Sequence, residues 1–156
     1  MKIKRFGKFI CALMVACFIA TFSFSAFAAP NSLPGDVYST KAGLVSLKVP
    51  QYVVSTTTNE RLAISATAPS GTRVTVYRYD ANTGVYNKAY SNGAAVESVV
   101  GSTMLFAGQV DLNLGLNKFI IRGEAADGTA TVVRFDVTLL NKGFMERIKS
   151  LIDFHF

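Results

Sequence analysis

The sequence predicts an all-β protein, an antiparallel β-sandwich of about seven short strands followed by a short C-terminal amphipathic helix. Two observations indicate the strands: apolar and polar residues alternate in one short run after another, and turn-forming Pro, Gly, Asn and Asp residues separate the runs. A third observation indicates the helix, because beyond residue 140 the apolar period changes from two to 3.6. No helical pattern interrupts the strands, which favours two packed sheets over a βαβ arrangement.

Residues 1–28 have the composition of a secretory signal peptide. Four basic residues lie among the first eight, and a nearly uninterrupted apolar run covers residues 9–27. Ala26 and Ala28 supply the small side chains that a signal peptidase requires, so cleavage is predicted after Ala28. Two alternatives stay open, because the apolar run is long enough for an uncleaved membrane anchor and residues 14–17 loosely resemble a lipobox.

Loss of this leader changes the charge and the redox chemistry of the chain. Four of the 16 Lys and Arg residues lie in it, which leaves 12 basic residues against 10 acidic ones and no basic run. The mature chain therefore lacks the electrostatic footprint of a nucleic-acid-binding protein. Cys11 and Cys17 also leave with the leader, so one domain must be held together by its hydrophobic core alone.

The mature chain is predicted to begin with a flexible segment at residues 29–43, which are rich in Pro, Asn, Ser and Gly. The β-sandwich domain follows at residues 44–140. Its first strand alternates through residues 45–49, is broken by Pro50, and resumes after a kink at residues 52–55.

The clearest pair of strands lies at residues 61–80, where two alternating runs flank a Pro-Ser-Gly turn. A hairpin loop is predicted at 80–84 and its return strand at 85–90, whereas residues 91–101 are predicted to be a loop.

The second half of the domain has the same pattern. It predicts a strand at 104–112, a Leu-Gly-Leu-Asn turn at 114–117, and a strand in which Phe119 and Ile121 share a face. An Asp-Gly hairpin at 126–129 then leads into the last strand, residues 131–140, where the alternation is cleanest.

Three motifs carry a resemblance to a known family: the strand end Ile-Ser-Ala-Thr-Ala-Pro-Ser-Gly at 64–71, the turn at 114–117, and the Asp-Gly hairpin before the last strand. With them, residues 44–140 resemble the bacterial immunoglobulin-like and cadherin-like β-sandwich modules, which occur as repeats in cell-surface proteins and as accessory domains of secreted glycoside hydrolases. The resemblance implies an immunoglobulin-like fold and a binding role. This chain departs from the family's usual tandem arrangement, because it holds one copy without an internal repeat.

The mature chain has few residues that could carry out catalysis or bind a metal. His155 is the one histidine and no cysteine remains, so nucleophilic triads, thiol chemistry and zinc sites lack their residues. Asp80 and Asn82 resemble the start of a calcium loop, but the bidentate Glu that would end such a loop is missing. We therefore expect no enzymatic activity, no cofactor and no metal. The glutamates are scattered and are expected to be solvated: Glu60, Glu97, Glu124 and Glu146.

Four tyrosines fall on the hairpin that is predicted at residues 73–90: Tyr77, Tyr79, Tyr86 and Tyr90. If Val74 and Val76 face the core, then Tyr77 and Tyr79 face away from it, and the four rings would form a platform that stacks on sugars. The alternative is that they are ordinary cross-strand aromatic pairs, which strands favour. The absence of Trp weakens the sugar-binding hypothesis.

The tail at residues 141–156 is predicted to be an amphipathic helix, with Phe144, Ile148, Leu151 and Ile152 on one face together with His155. A helix of this length is marginal alone in water, so another surface must bury that face. The β-sandwich, a partner protein or second copy, and a membrane are the three possibilities. The membrane is least favoured, because acidic residues offset the basic ones on the polar face.

These observations favour a non-catalytic binding or scaffolding module that is exported and associated with the bacterial cell envelope. Its expected partner is an envelope protein or polysaccharide, and membrane contact is expected only through an uncleaved leader. Two alternatives stay open: a small carbohydrate-binding module that uses the tyrosine-rich hairpin, and a secreted subunit or inhibitor that docks through its C-terminal helix.

Overall fold

The computed structural model describes residues 28–153; the rest of the predicted leader and His155 lie outside this range. Strands make up 52% of the chain and helices 8%, which confirms the prediction of an all-β protein with a short C-terminal helix. The elements are β1 (Ser32–Pro34), β2 (Ser46–Val49), β3 (Val54–Thr57), β4 (Arg61–Thr67), β5 (Arg73–Asp80), β6 (Val85–Lys88), β7 (Tyr90–Ser91), β8 (Ala94–Ala95), β9 (Glu97–Val99), β10 (Leu105–Asp111), β11 (Gly115–Glu124), β12 (Ala130–Leu139) and α1 (Lys142–Asp153).

Most strands belong to two sheets. The large sheet has the order β1-β6-β5-β11-β12-β3, and β9 pairs with β5 beyond the end of β6. The small sheet has the order β10-β4-β2, and β7 and β8 form a separate hairpin. All pairs are antiparallel except β12 and β3, which run parallel.

The first predicted strand is in fact two strands in different sheets. β2 pairs with β4 in the small sheet, whereas β3 pairs with β12 in the large sheet. Pro50 follows β2 directly and has no N–H group, so it cannot continue the hydrogen-bonded ladder. The predicted kink is therefore a crossing from one sheet to the other.

The inward faces of the two sheets share one hydrophobic core. Val74 and Val76 lie in it, as the alternation predicted, and the rings of Phe119 and Phe135 stack there with their centroids 5.3 Å apart. Each fully buried side chain of this kind contributes about 1.5 to 3 kcal/mol. The small sheet contributes the buried residues Ile64, Ala66, Phe106 and Val110.

The N-terminal segment, predicted to be flexible, is instead fixed against the large sheet between residues 29 and 41; we call this stretch the strap. At one edge β1 pairs with β6, and Leu33 is buried. At the other edge the strap bonds to β12: the Thr40 N–H donates to the Ala130 carbonyl oxygen over 2.8 Å, and the Val132 N–H donates to Ser39 Oγ over 2.9 Å. The small polar residues that suggested a tether thus bond to strand edges.

Residues 91–101, predicted to be a loop, contain most of the β7–β8 hairpin and all of β9. Asn92 and Gly93 both have positive φ angles, 50° and 80°, as a two-residue hairpin turn requires. The Asn-Gly pair was the signal in the sequence for this hairpin. The turn predicted at 114–117 is shorter than expected, because β11 already begins at Gly115.

Candidate functional site

The tyrosine hairpin does not form the exposed platform that a sugar-binding site requires. Tyr77 and Tyr86 are buried and Tyr79 is half-buried, whereas Tyr90 is exposed on the separate β7–β8 hairpin. As predicted, Tyr77 and Tyr79 point away from the main core. The strap covers this outer face, however, and makes a second small cluster there: Leu33, Tyr77, Tyr86 and Ile120, with Val37, Tyr79 and Val132 packed against it.

Direct contacts explain the burial of the tyrosines. The Tyr77 hydroxyl donates a hydrogen bond to the Pro30 carbonyl oxygen over 3.0 Å, which ties the strap to β5. Tyr79 and Tyr86 lie opposite each other on β5 and β6, with ring centroids 5.1 Å apart. Tilted aromatic pairs of this kind stabilise antiparallel strands. Tyr79 and Tyr86 therefore form a cross-strand aromatic pair, as the alternative hypothesis predicted, whereas Tyr77 binds the strap.

Two ion pairs lie on the same outer face. Lys88 Nζ is 3.0 Å from Glu97 Oε2, and Arg122 Nη2 donates to Glu124 Oε1 over 3.0 Å. Glu124 is buried and Glu97 half-buried, so the prediction that both are solvated surface groups was wrong. Burial is tolerated because each carboxylate has its own cation, which offsets the cost of removing the charge from water.

A cavity of about 240 Å³ lies between the strap and β11, and its lining includes Leu33, Val37, Tyr38, Arg122 and Ala130. It is smaller than the usual pocket for a small molecule, which is roughly 300 to 1,000 Å³. Arg122 is the basic group in its wall, and the guanidinium is already bonded to Glu124. The cavity therefore offers no uncompensated positive charge to an anion.

The Asp80 loop is an ordinary self-capped hairpin turn. Asp80 Oδ1 accepts from the Asn82 N–H and Oδ2 accepts from the Thr83 hydroxyl, both over 2.9 Å. The hydrogen bond from the Asn82 backbone, followed by that from the Thr83 side chain, lowers the pKa of Asp80. Across residues 28–153, no group of three or more His, Cys, Asp or Glu residues is placed to hold a metal ion.

Helix α1 exposes its apolar face. Asn141 caps it, because Asn141 Oδ1 accepts from the Gly143 N–H over 2.9 Å. Phe144, Leu151 and Ile152 are 59%, 68% and 55% exposed, and Ile148 is half-buried. Of the three surfaces that the sequence left open, the protein's own sheets do not cover this face. No helix within residues 28–153 is both long and apolar enough to cross a membrane.

A second exposed apolar surface lies on and just before β3, and the sequence analysis did not single it out. Tyr52, Val53 and Val54 are 69%, 61% and 69% exposed. The signal was present, since residues 50–58 carry no charged side chain. This exposed surface matters because β3 is an edge strand of the large sheet. The sequence does not show which strands are edges, because that depends on strand pairing.

No family model matches this chain, and no curated protein sequence is significantly similar to it.

Proposed function

We propose that this protein is a non-catalytic binding or scaffolding module of the bacterial cell envelope, built on an immunoglobulin-like β-sandwich. The order β2-β4-β10 in one sheet and β5-β11-β12 in the other supports the fold, because it corresponds to the A-B-E and C-F-G strands of that architecture. The basic and apolar leader in the sequence supports export.

The observation that carries the binding role is the exposed apolar face of α1. The two sheets close their own core without this helix, so the helix is available to dock elsewhere. Burial of Phe144, Leu151 and Ile152 against a partner would contribute about 4 to 9 kcal/mol as an upper value. That energy would also offset the marginal stability of a short isolated helix. An envelope protein with an apolar groove is the partner that fits this face.

Site-specific photocrosslinking tests this proposal in the bacterium that makes the protein. A photoreactive amino acid at Leu151 lies on the apolar face, and the same amino acid at Lys149 lies on the opposite face as the matched control. We expect a discrete adduct with one envelope protein from position 151 and none from position 149. Equal adducts from both positions, or no adduct from either, would contradict the proposal.

Truncation after Lys142 provides a second control. Since the apolar face is exposed, the truncated chain should keep its thermal midpoint and should no longer co-purify with the protein that the position-151 adduct identifies. A fall in the midpoint of more than about 4 °C, the effect of about 1 kcal/mol in a domain of this size, would show that α1 packs on its own sheets. The identity of the partner separates the two docking hypotheses, because an enzyme would indicate a subunit or inhibitor.

A further inference from the structure

The two sheets have five edge strands, because β9 also pairs on one side only, and all of them except β3 carry a recognisable protection against pairing with another chain. β9 has three residues and carries Glu97. β1 has three residues and contains Pro34, which lacks an N–H donor. β2 carries Lys48 and is followed by Pro50. β10, the other edge of the small sheet, has β7 of the separate hairpin close beside it.

The remaining edge, β3, is as short as β2 but has neither a charged residue nor a proline. Between residues 51 and 58 there is no charged residue and no proline. Its backbone is used on one side only: the Asp136 N–H donates to the Val53 carbonyl oxygen over 2.7 Å, and the Leu140 N–H donates to the Thr57 carbonyl oxygen over 2.8 Å. The β-branched residues of this strand favour pairing, and Val54 and Thr56 are exposed.

We propose that β3 is a self-association edge, at which two copies of this chain pair antiparallel about a two-fold axis and join their large sheets. A second copy fits because it presents the same uncharged segment, so no like charges meet across the new strand pair. The symmetric arrangement also closes, because each β3 uses its single free side. Val54, now exposed on this edge, gains a cross-strand neighbour in the pair.

Analytical ultracentrifugation of the full chain tests this inference with two matched variants. Val54→Lys adds one positive charge from each copy to the same short strand pair and should weaken the dimer at least about tenfold by their repulsion. Val99→Lys changes a similarly exposed valine on β9, away from β3, and should leave the dimer unchanged. A monomeric parent protein at millimolar concentration, or equal effects of the two substitutions, would overturn the inference.

Cysteine crosslinking gives an independent readout of the same geometry. In a chain with Cys11→Ser and Cys17→Ser, single cysteines at residues 53–57 should form disulfide-linked dimers with an efficiency that peaks at one position and falls on both sides of it, because only the residue nearest the two-fold axis lies opposite its own copy. Uniform or absent crosslinking would contradict strand pairing. If truncation after Lys142 abolishes the dimer and Val54→Lys does not, α1 is the dimer contact; the β3 inference then fails while docking through the helix stands.

Discussion

Tyr77 is fully buried on the outer face of β5, where its hydroxyl bonds to the Pro30 carbonyl oxygen of the strap. Burial raises the pKa of Tyr77 to about 12, since removal of the phenol from water disfavours the phenolate. The positive charge of Arg122 lowers this pKa, and the negative charge of Glu124 raises it. A residue that suggested a sugar contact in the sequence is thus a connection between the strap and the sheet.

This pKa predicts the pH dependence of stability. Because the pKa of Tyr77 in the folded protein, about 12, exceeds its ordinary value of 10.0, its contribution to stability is complete below pH 10 and is lost as the pH rises towards 12. Tyr77→Phe should therefore flatten the decline in the free energy of unfolding between pH 10 and 12, and cost about 1 kcal/mol at neutral pH. Urea unfolding of both proteins at each pH measures this, and parallel curves would contradict it.

The strap is the element whose structure differs most from its prediction, because a segment predicted to be flexible is bonded to the large sheet. Its middle covers the outer face of the large sheet, and its ends are bonded to β6 and β12. Leu33 is its main apolar anchor and lies in a cluster with Tyr77, Tyr86 and Ile120. The strap is therefore part of the folded body, although its composition is that of a linker.

Leu33→Ala should lower the free energy of unfolding by about 2 kcal/mol, because it removes a buried side chain from this cluster. Leu116→Ala is the matched control, since Leu116 is 59% exposed, and it should change stability by less than about 0.5 kcal/mol. Hydrogen exchange gives a local measure: the Lys88 N–H, which donates to the Asn31 carbonyl oxygen, should exchange faster only in Leu33→Ala. Equal exchange in both variants would show that Leu33 does not hold the strap.

At the scale of the whole molecule, the predicted cleavage site lies next to Ala29, the first buried residue in the part of the chain that the structure describes. Ala28 is exposed, whereas Ala29 is buried against the fold. A protein that starts at Ala29 would therefore keep every contact of the strap described above.

We expect the intact mass of exported protein to correspond to a chain that starts at Ala29, because the small residues at 26 and 28 satisfy a signal peptidase. Mass spectrometry of the culture medium and of envelope fractions measures it. A full-length chain found only in the detergent fraction would indicate the uncleaved anchor, and a lipid-modified chain that starts at Cys17 would indicate the lipobox.

The sequence by itself determined the longer strands and the face that each turns to the core, but not β1, β8 and β9, nor the division between β2 and β3. In β4 and β12 the alternation of apolar residues was sufficient, because the side chains of a strand alternate between faces by backbone geometry alone. The same local geometry placed Tyr77 and Tyr79 on the outer side. It also predicted α1, whose period of 3.6 is equally local.

Only the tertiary structure decided what lies on those outer faces. That the strap covers Tyr77, that β2 and β3 belong to different sheets, and that β3 is an edge all depend on contacts between residues far apart in the chain. Periodicity tells which face of an element is apolar, but not which segment will cover it. For the same reason, the sequence predicted the apolar face of α1 and left its neighbour undecided, and the structure shows that face exposed.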